Sequence, residues 1–388
     1  MRLFLAIPRS PNAAFDSDLW TRNLRDPLVA LGHDVVLYTE GVQPLFDLDP
    51  AAPGTAPARE AFTARFLAAV EAANRTSRLD FVLTYLSDSH LTQEAIARVR
   101  ESMAPIANFF CNNVHQFHLV KAMARHYSCC LVPEEEALAR YRDAGATPIF
   151  FPMAANPEVY RPLDLSPRYD ATFAGQRYGE RTQGILALRE AGIDAHAFGQ
   201  GWGAAESSGG KAPAVTERSG ALAWLARIAE LVGQGRNPLA AAADRRAFDR
   251  LRARHAGALH PILSDEEYAA LFSESKISLG FLIVGDTNRT WRPMRQVRLR
   301  EFEAPMAGAF YLTGFMEEIG RHYEIGREIV CYRSLSEMID LCRYYLTHDA
   351  ERERIRLAGH ARARRDHTWT KRFEGLFAEL SRKGILRR

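Results

Sequence analysis

Residues 298–309 combine the side chains that a nucleoside diphosphate requires. Their sequence is RLREFEAPMAGA, with arginines first, then Glu303, then a small-residue turn at Gly308. Guanidinium groups neutralise a diphosphate, and a carboxylate accepts hydrogen bonds from ribose hydroxyls. Apolar neighbours predict that Glu303 is at least partly buried, and a buried carboxylate needs a partner. The segment therefore predicts half of a nucleotide-diphosphate pocket, on a helix that turns into a buried strand.

A ladder of arginines precedes this segment. Its members recur every three residues, at Arg289, Arg292, Arg295 and Arg298, with Asn288 beside the first. Spacing of three places successive members on neighbouring positions of a helix face, and Pro293 predicts the start of that helix. Cations this close repel one another unless an anion lies among them. The alternatives are a solvated basic face or a nucleic-acid surface, for which the run offers a single aromatic residue, Trp291.

Two glycine turns offer further ligands for the same nucleotide. The first, GQRYGERT at 175–182, follows a predicted strand, where a glycine before a helix lets backbone N–H groups approach a phosphate. The second, GQGW at 199–202, would suit a base or a sugar edge. The structural alternatives are ordinary turns with solvated arginines and a packed tryptophan. The candidates in these turns are Gly175, Gln176, Arg177, Arg181, Gly199, Gly201 and Trp202.

Three candidates for a general base follow predicted strands of the first half. They are Asp88, His90 and His115, and His115 is favoured because Asn112 and Asn113 beside it could orient a sugar. Residues beyond the carboxyl ends of strands line the ligand crevice of open α/β sheets. Neutral imidazole titrates near working pH, although a hydrogen-bonded loop histidine is the plainer interpretation of each.

No metal site is expected. Two Asp-x-Asp pairs occur, Asp16 with Asp18 and Asp47 with Asp49, and such pairs hold a divalent cation in some sugar transferases. Neither follows a convincing buried strand. The five cysteines form no CxxC pair, which argues against a zinc site or a disulfide framework and favours a reducing, cytoplasmic setting.

The elements that would position these groups alternate strand and helix along the chain. Apolar runs such as RLFLAIP at 2–8 and FVLTYL at 81–86 predict strands, with helical patterns between them. A proline-rich segment at 153–170 interrupts the rhythm, which restarts with DATFAG. We expect an α/β protein of two doubly wound parallel-sheet domains. They would be residues 1–155 and 168–366, with an insertion at about 203–255 and a last helix, 367–388, packed on the first domain.

Composition is that of an ordinary globular protein. The chain has 388 residues and a formal net charge of +3, too small to imply nucleic acid by itself. No apolar run approaches the roughly 20 residues that span a bilayer. A cytoplasmic protein without a transmembrane segment is expected.

Five segments in order resemble the CgeB-like (spore-maturation-type, glycosyl transferases group 1) family of GT-B glycosyltransferases. They are DATFAGQRYGER, HAFGQGW, LREFEAPMAGAFYLT, EIVCYRSLSEMIDLCRYYL and AGHARARRDHTWTKRF, between residues 170 and 373. The resemblance implies two Rossmann-like domains facing a cleft. It also implies a nucleotide diphosphate sugar such as a UDP-sugar as co-substrate, no metal or other cofactor, and hexosyl transfer in the cleft. Glu303 matches the second, ribose-contacting glutamate of the pair that many retaining GT-B enzymes carry eight residues apart, whereas the first position in this chain is Arg295.

The leading hypothesis is therefore glycosyl transfer to an unidentified acceptor, which is a saccharide, a protein or a small molecule. A sugar-nucleotide epimerase or hydrolase of the same architecture is the second enzyme hypothesis. A non-catalytic nucleotide-binding or nucleic-acid-binding protein is the third.

Overall fold

The computed structural model describes residues 1–10, 17–203, 235 and 237–386. They form two compact units, Met1–Val159 with Arg365–Arg388, and Tyr160–Arg364. Each unit is built on one six-stranded parallel sheet with flanking helices, so the expected α/β class with two parallel sheets is confirmed. Most of the expected insertion, residues 204–234 and 236, lies outside the described residues.

The sheet of the first unit has the order β2-β1-β3-β4-β5-β6. Its central strands are short apolar runs buried on both faces, as parallel strands covered by helices must be. Each predicted strand of this half is present. The strands are β1 (Arg2–Ala6), β2 (Asp34–Tyr38), β3 (Phe81–Thr84), β4 (Ile106–Phe109), β5 (Cys129–Val132) and β6 (Pro148–Phe150).

The helices of the first unit cover this sheet. They are a π-helix at Thr21–Arg25, α1 (Asp26–Ala30), α2 (Thr55–Thr76), α3 (Gln93–Ser102), α4 (Asn113–Gln116) and α5 (Leu138–Asp143). The last helix of the chain, numbered α13 below (Trp369–Arg382), belongs to the same unit. Its Trp369 is fully buried and lies 5.9 Å from the ring of Phe151 and 6.3 Å from that of Phe109.

The sheet of the second unit has the order β12-β11-β10-β7-β8-β9. Counted within the unit, this is the Rossmann order 3-2-1-4-5-6, in which the direction of winding reverses between β7 and β10. Open sheets of this kind bind ligands beyond the carboxyl ends of the two strands at that reversal. The strands are β7 (Tyr169–Ala174), β8 (Ala195–Phe198), β9 (Leu259–His260), β10 (Ser275–Leu279), β11 (Tyr311–Gly314) and β12 (Val330–Tyr332).

The described helices of the second unit pack on both faces of its sheet. Ile185 and Leu188 of α6 meet Phe281 and Ile277 in the main core, on the side that α6 covers. The helices are α6 (Arg181–Glu190), α7 (Pro238–His255), α8 (Asp265–Leu271), α9 (Arg300–Met306), α10 (Ile319–His322), α11 (Leu335–Thr347) and α12 (Asp349–Asp366).

The helix predicted from Pro293 is wrong, because α9 begins only at Arg300. The backbone before it is committed to a neighbouring segment: Val284 donates to Met294 O at 2.9 Å, and Gln296 donates to Leu282 O at 3.1 Å. An extended segment paired in this way cannot close the i to i−4 bonds of a helix. Of the arginine ladder, Arg289 ends a short 3-10 helix while Arg295 and Arg298 lie in this extended segment, so its members do not share a helix face.

Within the described part of the chain, no helix is long and apolar enough to cross a membrane. Among the same residues, no group of three or more His, Cys, Asp or Glu side chains is placed to hold a metal ion. Of the two Asp-x-Asp pairs, Asp16 lies outside the described residues.

Candidate nucleotide site and neighbouring groups

Tyr178 lies where the two strands at the reversal of the second sheet end. It belongs to the loop between β7 and α6, and it meets the segment that follows β10. The Arg298 guanidinium donates to the Tyr178 hydroxyl through one nitrogen and to Ile283 O, at 3.3 Å, through another. Arg181 donates to the same hydroxyl at 2.9 Å. At this reversal of the sheet, which we call the switch point, two guanidinium groups therefore donate to one phenol oxygen.

The arginines of this site are stacked on aromatic rings. The Arg181 guanidinium lies 3.7 Å from the centre of the Tyr178 ring and 4.9 Å from that of Phe173. Arg300 covers Phe173 at 4.7 Å, and Arg298 lies 5.5 Å from the Tyr178 ring. Cations over ring faces are attracted by the ring quadrupole, which holds the planar guanidinium groups in place. We call Tyr178, Arg181, Arg298 and Arg300 the arginine cluster.

The arginine cluster carries more positive than negative charge. Within the described residues, neither Arg181 nor Arg298 forms an ion pair with a carboxylate. Their Nε atoms and that of Arg300 are buried without a hydrogen-bond acceptor in this part of the chain. Burial lowers the pKa of Arg181 to about 9, although Tyr178 opposes the shift. A desolvated group of cations with open donors is the arrangement that an anion stabilises.

Two glycines bring the loops after β7 and β8 into contact. A Cβ on Gly199, whose φ is +129°, would lie 2.6 Å from Gly175 O. A Cβ on Gly175 would lie 2.6 Å from a terminal nitrogen of Arg300. The Gly175 N–H donates to Phe198 O at 2.8 Å, and that of Arg177 to Gln200 O at 2.9 Å. The N–H groups of Gly175 and Arg177 are thus used between the loops, and a phosphate contact elsewhere in this turn stays a prediction.

Trp202 has a structural place as well. Its side chain is buried, its indole N–H donates to Gly175 O at 2.8 Å, and its ring meets Phe173 edge-on at 6.4 Å. Gly201, with φ +84°, lies against Arg177. The expectation that Trp202 presents its face to a base or a sugar is therefore corrected, because that face packs in the core.

Arg177 points away from the arginine cluster. It donates to Gly201 O at 3.0 Å, stacks 3.9 Å above Phe248 and lies 3.7 Å from Asp244. Arg289 donates to the same carboxylate at 3.0 Å. Asp244 is buried, so its negative charge offsets both arginines. With Ala241 and Arg245 these residues line a separate cavity of about 200 Å³.

Glu303 is buried, as predicted from its apolar neighbours, and it already has partners. The Tyr268 hydroxyl donates to Glu303 Oε2 at 3.0 Å, and the Tyr160 hydroxyl donates to the same carboxylate. Burial raises the pKa of Glu303 to about 7, although these bonds and Arg300 oppose the shift. The inference that ribose must supply its partner is wrong, because two tyrosines do. A ribose contact at Glu303 stays a prediction.

The remaining donor candidates lie around the loop of Tyr178. Asn288 donates to Gly179 O at 2.9 Å and so joins the segment after β10 to this loop. The carbonyl of Gln176 accepts a bond from Arg181, while its side chain is exposed. Arg295 is exposed on the extended segment.

In the first unit, His90 is a structural residue. It is fully buried, its Nδ1 accepts from the Ser87 N–H at 3.1 Å, and its Nε2 lies 2.9 Å from Val42 O. This pattern requires the neutral tautomer protonated on Nε2, whose basic nitrogen is occupied. Burial lowers the pKa of His90 to about 4. His90 is therefore not available as a general base, which corrects that candidate.

Asp88 is also engaged by the fold. Its carboxylate is buried and accepts from the Ala122 and Met123 N–H groups at 2.8 and 3.2 Å. Burial raises the pKa of Asp88 to about 6, against the effect of those two bonds. The side chain holds the loop that follows α4, and it is not presented to solvent.

His115 is the exposed member of the three base candidates. It lies on α4, just beyond the carboxyl end of β4. Buried Glu134 fixes that helix, since it accepts from the Asn113 N–H at 3.2 Å and from Asn113 Nδ2 at 2.7 Å. Asn112 begins the helix in the left-handed conformation, with φ +66°. His115 is thus carried on a firmly held turn, and its catalytic role stays a prediction.

Sequence reasoning missed the residues that complete these sites. Tyr178 stands between Arg177 and Arg181 in sequence and binds the second of them, and an aromatic residue flanked by arginines was the available signal. Asp244 lies in an arginine-rich helix far along the chain from Arg177, so no local pattern pairs them. The same holds for Tyr160 and Tyr268 with Glu303.

The whole chain aligns with solved structures of the same architecture. Sucrose-phosphate synthase from Thermosynechococcus elongatus matches with a TM-score of 0.60 and 14% identity, covering 99% of this chain and 100% of that one. HepE from Anabaena in complex with UDP-glucose matches with a TM-score of 0.54 and 13% identity, covering 98% and 99%. Both alignments span the two sheets in order. The fold is GT-B.

One family model matches part of this chain in sequence. Residues 230–378 match the family model described as glycosyl transferase-like, a span that contains α9 and the arginines before it. None of the curated proteins matches this chain in sequence. The GT-B fold also carries other chemistry, since a putative UDP-N-acetylglucosamine 2-epimerase from Listeria monocytogenes matches with a TM-score of 0.51, 13% identity and 94% of each chain covered.

Proposed function

We propose that this protein is a glycosyltransferase that takes a hexose from a nucleotide diphosphate sugar, most simply a UDP-sugar, and belongs to the CgeB-like group. The observation that carries the proposal is the arginine cluster at the switch point of the second sheet. Arg181 and Arg298 present guanidinium groups there without a carboxylate among the described residues. The glycosyl transferase-like match over 230–378 supports the same activity.

The arginine cluster would serve the leaving group. When the bond from the anomeric carbon to the diphosphate oxygen breaks, negative charge grows on the diphosphate. Prepositioned guanidinium groups in a site of low polarity stabilise that charge strongly, because they need not reorganise during the reaction. Arg181 is buried and Arg298 half-buried, so their donors meet little competition from water. In this proposal no metal ion is needed at the diphosphate.

The acceptor would be activated from the first unit. His115 is exposed, follows β4 and is held by the Glu134–Asn113 contacts, so in an inverting reaction it would remove the proton of the acceptor hydroxyl. The acceptor stays open between a saccharide, a protein and a small molecule.

A sugar-nucleotide epimerase or hydrolase is the second candidate function. The specific observation in its favour is the GT-B match to the putative epimerase from Listeria monocytogenes. An epimerase converts the donor without any acceptor, whereas a transferase releases nucleoside diphosphate in proportion to glycosylated acceptor. A non-catalytic binding protein would do neither.

The test combines binding with turnover. Thermal shifts with UDP, GDP, dTDP and CMP identify the nucleotide, because a ligand that binds only the folded state raises the melting temperature. Nucleotide sugars carrying it are then incubated with and without an acceptor panel, and nucleoside diphosphate and sugar isomers are measured. Arg298→Ala should weaken diphosphate binding by roughly 10- to 150-fold and spare the bare nucleoside.

Arg292→Ala is the matched control, since Arg292 is an exposed arginine six residues earlier on the same segment. We expect it to bind like the parent protein. Equal diphosphate affinity in the parent protein and Arg298→Ala would remove the arginine cluster from the donor site. Interconversion of sugars without any acceptor would favour the epimerase.

A further inference from the structure

The hydroxyl of Tyr178 occupies the centre of the arginine cluster. Arg181 reaches it from α6 and Arg298 reaches it from the segment before α9. Both guanidinium groups also lie over the Tyr178 ring, so the two arginines converge on one residue from two sides. A single oxygen that accepts two hydrogen bonds from cations has the surroundings that an anionic oxygen prefers.

We propose that Tyr178 is a built-in counter-ion of the donor site, whose oxygen competes with the donor's diphosphate for the Arg181 and Arg298 donors. This inference rests on the proposed function, since it takes the diphosphate to bind at these arginines. It adds a residue and a proton to that site. As a phenolate, the tyrosine would offset one of the positive charges of the cluster while no nucleotide is bound.

The charges around Tyr178 favour its phenolate form near and above pH 8 in the unliganded protein. The charged groups that face it are Arg181 from α6, Arg298 before α9 and Arg300 at the start of α9. All three are cationic. Burial raises the pKa of Tyr178, but the three guanidinium groups outweigh it and lower that pKa to about 8.

Binding of a diphosphate would return the proton. When phosphate oxygens take over the guanidinium N–H groups, the phenolate loses the donors that stabilise it and takes up one proton from solvent to become a neutral phenol. No bond other than this O–H bond forms. Above the pKa of Tyr178, the diphosphate affinity should therefore fall by up to about tenfold per pH unit, as a reaction that consumes one proton requires.

Inorganic pyrophosphate is the probe, because it tests the anion site without a base, a ribose or a sugar. Calorimetry at about pH 7 and about pH 8.5, each in two buffers of different ionisation enthalpy, counts the protons taken up. Tyrosinate absorbance in the near ultraviolet, followed against pH without ligand, reports the phenolate directly. Both measurements use the full chain.

Relative to Tyr178→Phe, the parent protein should take up roughly three-quarters of a proton more per pyrophosphate at about pH 8.5, and distinctly less at about pH 7. Tyr178→Phe should take up distinctly fewer protons than the parent protein at about pH 8.5, should lose the tyrosinate that forms near pH 8, and should bind pyrophosphate with an affinity that varies less with pH. Tyr344→Phe removes an exposed hydroxyl elsewhere in the same unit and should match the parent protein.

Unchanged proton uptake in Tyr178→Phe would overturn the inference, as would a parent protein whose first tyrosine ionises only near the usual pKa of about 10. If pyrophosphate does not bind at all, both the counter-ion role of Tyr178 and the proposed donor site are overturned. Proton-linked pyrophosphate binding without turnover of any nucleotide sugar would leave the counter-ion standing and defeat the proposed function. Turnover of a nucleotide sugar without this proton uptake would overturn the counter-ion role of Tyr178 and leave the proposed function standing.

Discussion

The indole N–H of Trp202 donates a 2.8 Å hydrogen bond to the carbonyl oxygen of Gly175. The bond joins the end of β8 to the end of β7, and the loop that leaves Gly175 carries Tyr178. The side chain of a core residue therefore fixes the backbone from which the arginine cluster is built.

Trp202→Phe should destabilise the protein by about 1–3 kcal/mol, because the aromatic packing is largely kept while a buried carbonyl loses its donor. The free energy of unfolding is measured by denaturant titration. Trp291→Phe is the matched control: Trp291 is 61% exposed, and its replacement should change that free energy by less than about 0.5 kcal/mol. Equal stability of the two variants would show that the indole bond contributes nothing.

Gly199→Ala should cost more than an ordinary glycine substitution. The new Cβ would lie 2.6 Å from Gly175 O on a backbone with φ +129°, so the two loops must separate. We expect a loss of roughly 2–4 kcal/mol and weaker binding of nucleoside diphosphate. Gly257→Ala serves as control, since a Cβ there meets no described heavy atom within 4 Å. Parent-like stability of Gly199→Ala would contradict the contact.

Glu303→Gln should remove part of the pH dependence of stability. Burial raises the pKa of Glu303 from 4.5 to about 7, so the folded protein holds this proton more tightly than the unfolded chain. The resulting stability is fully present below about pH 4.5 and is lost as the pH rises through about 7. The melting temperature of Glu303→Gln, relative to the parent protein, should therefore rise between those pH values.

Glu317→Gln, at an exposed glutamate of the same unit, should leave the pH dependence of the melting temperature unchanged. If the melting temperature of Glu303→Gln differed from that of the parent protein by the same amount at every pH, the carboxyl group of Glu303 would not titrate in this range.

His115→Ala should lower turnover by roughly 100-fold while leaving the affinity for nucleoside diphosphate nearly intact, because a general base acts in the chemical step. Initial rates at saturating donor, together with calorimetry, separate the two effects. His118→Ala removes a neighbouring exposed histidine and should retain activity. Full activity of His115→Ala would exclude His115 from the mechanism.

The sequence predicts strands better than contacts. Apolar runs locate every strand of three or more residues in both sheets, because burial on both faces leaves a continuous signal. The two-residue strand Leu259–His260 gives no such signal and was missed. The break in the strand–helix rhythm at 153–170 can be predicted for the same reason, since the proline content of that segment is a local property of the sequence.

Only part of the candidate site can be predicted from the sequence, since the residues that bind Arg298 and Glu303 come from distant segments. Arg298 is recognisable as a phosphate candidate, yet nothing near it in sequence indicates Tyr178, 120 residues earlier, as its partner. Glu303 shows the same limit: its apolar neighbours predict burial, but the tyrosines that satisfy it lie 35 residues away or further. Charge and burial are local properties of a sequence, whereas the choice between a ligand and an internal partner depends on tertiary contacts.

The placement of α13 bears on the order in which the chain matures during synthesis. Trp369 belongs to the core of the first unit, although it is translated after every residue of the second. Domains generally fold as they leave the ribosome, the amino-terminal one first. Here the earlier unit must wait, with the rings of Phe109 and Phe151 lacking this neighbour, until the chain has been translated past Trp369. The second unit is the continuous segment 160–364 and can complete its own core before that moment. Although it is translated after most of the first unit, it can therefore be the first to fold completely.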